Sequence, residues 1–183
     1  MRGDIASGIR NMRVKFFFAA ALAACAALAL APSRAAARGE VVAVSNGYPA
    51  GTIVVRQTER RLYLMLGNGE AVRYPVAVGR AGMQWSGTVR IDGKYVEPAW
   101  TAPASIRKDY SKDPAVIAGG SPHNPMGVAA LTLSGGGQYA IHGTNQPQLI
   151  GRFVSHGCIR MYNADISDLF GRVRVGTPVV VTR

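Results

Sequence analysis

The strongest constraint on the fold is the alternation of short β-branched runs with glycine and proline from Val41 onward. Val41–Val44, Thr52–Arg56, Arg61–Leu66, Ala71–Val78, Thr88–Ile91, Ala129–Leu133, Tyr139–His142 and Val179–Thr182 read as strands of four to eight residues. Side chains that branch at Cβ pack well on a pleated surface and lose rotamer freedom in a helix. Runs this short and closely spaced predict a mainly β fold, a sandwich or small barrel. Asn68-Gly69, between the third and fourth runs, predicts a two-residue type I′ hairpin, because both positions need positive φ. Leu62, Leu64 and Leu66 alternate with Tyr63 and Met65, so this strand is expected to be largely buried on both faces.

One segment has helical spacing. After Asn163, a candidate N-cap, Ile166, Leu169, Phe170 and Val173 fall on one face. Asp165 and Asp168 stand in the first turns, where the helix dipole favours negative charge. Gly176 and Pro178 close this region before the last strand. Residues 92–125 hold five prolines and Gly119-Gly120 with little periodicity, which predicts a lid or substrate loop. Trp100 and Tyr110 within it are suited to packing on the core or on a ligand.

The N-terminal part has a different character. A basic stretch through Lys15 is followed by Phe16-Phe17-Phe18, an Ala- and Leu-rich run to Ala31, and Pro32-Ser33-Arg34-Ala35-Ala36-Ala37. This order predicts a secretory signal peptide over 1–37, cleaved at the small-residue site, with 38–183 as a single domain in the periplasm or cell envelope. The apolar run is shorter than the ~20 residues of a membrane span. Met12 is an alternative start. Leu22-Ala23-Ala24-Cys25 resembles a lipobox, which would anchor the protein by lipid at Cys25, but the apolar run continues through Leu28 and Leu30 and favours plain export. The whole chain of 183 residues carries 21 Lys+Arg against 10 Asp+Glu, and five of those bases and one acid lie in 1–37. What remains is moderately basic, with no nucleic-acid motif, so nucleic acid is excluded as a partner.

Removing 1–37 also removes Cys25 and leaves Cys158 as the one thiol. It sits in Ser155-His156-Gly157-Cys158-Ile159-Arg160-Met161, sixteen residues after His142 in His142-Gly143-Thr144. A cysteine attacks as thiolate, and a nearby imidazole takes its proton. Gly157 allows a tight turn, so that consecutive N–H groups can converge on an oxyanion. Arg160 adds positive charge that would help keep sulfur ionised. A buried inert cysteine is the plainer alternative, but Ser-His-Gly is poor material for an apolar core. Zinc held by His123, His142, His156 and Cys158 is the other; the spacing lacks the short ligand pairs of a structural site, so no metal and no cofactor are expected.

These blocks resemble the signature of the L,D-transpeptidase catalytic domain (YkuD-type). Asn124-Pro125-Met126-Gly127, Asn163-x-Asp165-x-x-Asp168-Leu169 and Gly176-Thr177-Pro178-Val179 add to the likeness, which spans about residues 50–182. Met126 stands where Leu is more usual, a swap of similar volume. The resemblance implies a β-rich fold and peptidoglycan stem peptides as substrates, a donor tetrapeptide and an amine acceptor. It implies Cys158 as nucleophile, His142 as base and the Gly143 carbonyl as its orienting partner. The backbone N–H groups of His156, Gly157 and Cys158 would form the oxyanion hole. Arg160, Ser155, Thr144, Asn124 and Met126, with Trp100 from the long loop, make up the expected substrate-binding set. A monomer that forms 3→3 cross-links and accepts a carbapenem adduct is expected. Two alternatives stay open: hydrolysis by the same thiol, as an L,D-carboxypeptidase or other wall hydrolase, and a non-catalytic module that binds wall polymer through its arginines.

Overall fold

In the computed structural model, residues 39–45, 47–135 and 139–183 are described. The signal-peptide reading and Cys25 lie outside them. The strands are β1 (Glu40–Ala43), β2 (Ile53–Arg56), β3 (Arg61–Gly67), β4 (Glu70–Pro75), β5 (Val78–Gly79), β6 (Gly87–Val96), β7 (Ala129–Leu133), β8 (Ala140–His142), β9 (Phe153–Ser155), β10 (Ile159–Arg160) and β11 (Pro178–Thr182). One α-helix, α1 (Asn163–Arg172), lies between β10 and β11, and 3-10 turns cover Ala104–Tyr110 and Pro147–Leu149. Nine strands form one sheet in the order β1-β4-β3-β2-β11-β6-β7-β8-β10, while β5 and β9 pair separately. The mainly β architecture follows from the strand propensities of the sequence.

Strand β6 joins the two halves of the sheet. Its first residues, Gly87–Arg90, pair with β11, and Ile91–Val96 pair with β7 across a register shift between Ile91 and Gly93. Both halves contribute to one buried cluster: Ile53, Leu62 and Tyr74 from the first, Leu131, Ile141 and Ile159 from the second, with Ile166 and Leu169 of α1. A smaller cluster of Val54, Tyr63, Met65 and Ala71 lies on the other face of β2–β4. Residues 62–65 are therefore buried on both faces, as expected, and the burial stops at Leu66, which is 41% exposed. Asn68 and Gly69 both have positive φ, 53° and 76°, which makes the β3–β4 connection the predicted hairpin.

Three boundaries differ from the sequence reading. The run 71–78 is broken after Pro75, since proline ends its ladder and the chain turns to pair β5 with β9. Strand β6 runs on to Val96, so the first residues of 92–125 belong to the sheet. The rest of that segment is closed at its base: Trp100 and Ile117 exchange backbone hydrogen bonds of 2.8 Å each. Asn124 Nδ2 donates to the carbonyls of Pro98 and Ala118, and its Oδ1 accepts from Met126 N. The N-cap position of α1 is Tyr162, and Asn163 is its first helical residue. Asn163 Oδ1 instead accepts from Thr144 N at 3.0 Å and Val128 N at 3.4 Å, tying α1 to the chain after β8.

Candidate active site

Strands β8 and β10 set the site by their register. They are parallel, with Ile141 opposite Ile159 and His142 opposite Arg160. Side chains alternate along a strand, so the two isoleucines point into the core, where both are fully buried. The same alternation sends His142 and Arg160 to the opposite face. Cys158 lies just before β10 on the Arg160 parity and lines a cavity of about 890 Å³ together with His142, His156, Arg160, Met126 and Trp100. Ser155 also borders it. A neighbouring cavity of about 620 Å³ shares Tyr110, Pro125 and Arg160 with the first and is lined by His123. Among the described residues, no three His, Cys, Asp or Glu side chains gather as a metal site would need.

The histidine is 3% exposed, and its Nδ1 lies 2.7 Å from the Gly143 carbonyl oxygen. Burial, then the nearby Arg160 charge, lowers its pKa to about 4, against the opposing pull of the Gly143, Pro125 and Met126 carbonyls. At neutral pH the imidazole is therefore uncharged. Cys158 is partly exposed. Burial of its sulfur raises the thiol pKa; the Ala140 backbone and Arg160 pull the other way and are outweighed. The sequence reading of Arg160 as a group that favours the thiolate has the right sign, yet desolvation wins. At rest Cys158 is therefore a thiol and His142 a neutral imidazole.

The loop before Cys158 is held by its own serine. Ser155 Oγ, fully buried, donates to the Cys158 carbonyl at 2.6 Å and accepts from Gly157 N at 3.1 Å. The Gly157 N–H, expected in an oxyanion hole, is thus engaged by Ser155. Gly157 has φ +117°, a region that side chains rarely enter, and a methyl there would collide with the Tyr139 ring. His156 Nε2 lies 2.6 Å from Asp109 Oδ2, which also accepts from Arg80 Nη2 at 3.0 Å. Tyr110 packs on His156 and meets Trp100 edge-on, with centroids 4.9 Å apart.

Of the expected substrate-binding set, Arg160, Ser155, Met126 and Trp100 line the larger cavity. Asn124 and Thr144 do not. Asn124 is 1% exposed and staples the loop base, and Thr144 Oγ1 accepts from Gln146 N. Arg160 Nε is buried without a hydrogen-bond partner among the described residues. Asp109, Tyr139 and Trp85 were missed in the sequence. Their roles come from contacts across tens of residues, and only the aromatic character of two of them gave any local signal.

Comparison with known proteins defines the class. The profile of the YkuD L,D-transpeptidase catalytic domain matches residues 50–181. The chain belongs to that family. It is 40% identical over 136 residues to the Escherichia coli K12 protein named "Probable L,D-transpeptidase YbiS", covering 69% of this chain and 43% of that one. The E. coli K12 "Probable L,D-transpeptidase ErfK/SrfK" is 41% identical over 138 residues, covering 70% and 43%. The chain therefore spans less than half the length of these relatives. The fold matches L,D-transpeptidase 3 from Mycobacterium tuberculosis with a TM-score of 0.58 at 17% identity, over 72% of this chain and 60% of that one. It also matches the Enterococcus faecium catalytic domain acylated by ertapenem with a TM-score of 0.55 at 20% identity, over 74% and 100%.

Proposed function

We propose that this protein is an exported enzyme that cross-links peptidoglycan stem peptides through a thioester on Cys158. The observation that carries the reading is a partly exposed cysteine sharing one cavity with a buried, neutral histidine, in a chain of the L,D-transpeptidase family. A carbonyl oxygen can only accept a hydrogen bond, so His142 Nδ1 carries a proton for Gly143 and Nε2 keeps its lone pair. His142 then takes the Cys158 proton as sulfur attacks the carbonyl at stem position three. The tetrahedral intermediate collapses to a thioester, and the terminal D-alanine leaves after its amine takes that proton. An amine from a second stem attacks the thioester, giving a 3→3 cross-link and restoring the thiol.

In this reading the N–H groups of Cys158 and His156 steady the oxyanion. Arg160, with its unpartnered Nε and its place between two cavities, meets a substrate carboxylate. The segment 98–124, pinned at Trp100–Ile117 and resting on His156 through Asp109, is the substrate loop.

Mass spectrometry after incubation with a disaccharide-tetrapeptide tests this. A thioester on Cys158 that passes to an added amine, and that is absent from Cys158→Ala, is the expected result. Transfer to water alone would make the protein a carboxypeptidase. Strong, salt-sensitive binding to wall polymer without acylation would make it a binding module.

A further inference from the structure

We infer that Trp85 is a positioning residue for the oxyanion hole, acting through the Gly157 peptide. Its indole Nε1–H donates to the Gly157 carbonyl oxygen at 2.9 Å. That carbonyl belongs to the same planar amide as the Cys158 N–H, and the two point in opposite directions across a trans bond. Holding the oxygen therefore sets the direction of the N–H. Donation to the oxygen also polarises the amide and makes the N–H a stronger donor.

The surroundings of Trp85 are built to keep it there. Its ring stacks on Tyr139 with centroids 5.0 Å apart and planes 7° from parallel. Tyr139 closes the space beside Gly157. From behind, the fully buried Gln57 donates from Nε2 to the Trp85 carbonyl at 2.5 Å and to that of Thr182 at 3.4 Å. The result is a continuous chain from the sheet, through Gln57, Trp85 and Gly157, to the nucleophile's own amide. Ser155 holds the two flanking amides, through the Gly157 N–H and the Cys158 carbonyl, so the amide that Trp85 holds lies between two fixed neighbours. Trp85 is not among the residues that line the cavity.

The inference rests on the thioester reading above, and the test separates the two. Two reactions at Cys158 are compared in the full chain. Acylation by ertapenem or a disaccharide-tetrapeptide passes through an oxyanion; alkylation by iodoacetamide does not. Trp85→Phe keeps a ring for Tyr139 and loses the donor. Its acylation rate constant should fall about 10- to 100-fold, the scale of a misplaced reacting group, with KM and the alkylation rate unchanged. In parallel, β-(3-benzothienyl)-alanine at position 85 keeps the indole shape with sulfur in place of N–H and should show the same selective loss. Acylation at the wild-type rate in either folded variant overturns the proposal. So does an equal loss of acylation and alkylation in both, which would mark a merely structural residue. A wild-type protein that is alkylated but never acylated overturns the transferase reading itself, and this proposal with it.

Discussion

The Nδ1 of His142 lies 2.7 Å from the carbonyl oxygen of its own chain neighbour, Gly143. This local contact settles the tautomer without any second side chain: the backbone holds the ring, and no carboxylate is needed to orient it. A carboxylate would also raise the imidazole pKa, whereas here burial and the Arg160 charge lower it to about 4.

The acid limb of kcat/KM for acylation should therefore lie near pH 4, well below an ordinary imidazole. Arg160→Ala should move that limb upward while leaving it below the usual value, because burial is the larger cause and remains. A pH profile of carbapenem acylation measures both. A wild-type limb at pH 6 to 7 would contradict the neutral, desolvated base. The same shift acts on stability with a defined sign: the unfolded histidine binds a proton below about pH 6.5 and the folded one only near 4, so stability is lost as pH falls between them.

Asp165 should give the opposite slope. It is fully buried in α1, and neither carboxylate oxygen has a partner among the described residues. Burial, aided by Asp168, raises its pKa from 3.8 to about 7. The folded state then holds a proton that the unfolded state has released, so this contribution to stability is full below pH 4 and is lost as pH rises to about 7. Asp165→Asn removes the buried charge, so it should flatten that part of the profile and stabilise the protein by roughly 1–3 kcal/mol more at pH 8 than at pH 5, where the carboxyl is already neutral. Denaturant unfolding at pH 5 and pH 8 gives the comparison, and an equal effect at both would rule the explanation out.

Asn163 ties α1 to the chain beyond His142. Asn163→Ala leaves the Thr144 and Val128 N–H groups without their acceptor and should cost about 1–3 kcal/mol. Acylation should slow as well, since the Gly143 carbonyl lies between the freed amide and the histidine. Asn163→Asp keeps the acceptor oxygen and should restore much of both. If alanine and aspartate behave alike in thermal unfolding, the hydrogen bonds are not the cause.

The Asp109 clasp is exposed and should matter for the loop more than for the fold. The side chains of Arg80 and Asp109 are both nearly half exposed, so Asp109→Ala should leave global stability nearly unchanged. Its effect should appear as faster tryptic cleavage at Arg107, Lys108 and Lys112, which follow or precede the lost contact. Cleavage at the wild-type rate would show that the loop is held from elsewhere.

The difference between what was legible and what was not follows sequence separation. The β3–β4 hairpin was legible because its turn needs two adjacent residues with positive φ, and Asn68-Gly69 supplies them. Helix α1 was legible from the spacing of Ile166 and Leu169, both now buried. Its N-cap was not, because Asn163 is used by Thr144, nineteen residues away. The continuation of β6 to Val96 was hidden because its pairing partner β7 begins only at Ala129.

By itself, the sequence determined the strand-rich fold, helix α1 and the Ser-His-Gly-Cys block that marks the family, since each depends on conformational preferences or side-chain chemistry within a few residues. Only the tertiary structure decided the resting charges of Cys158 and His142, because desolvation depends on what the folded chain packs around them. It also decided that Ser155 engages the Gly157 N–H, that Asp109 reaches His156, and that Trp85 holds the Gly157 carbonyl from 72 residues away. Such contacts arise when the sheet closes, and no local pattern encodes them.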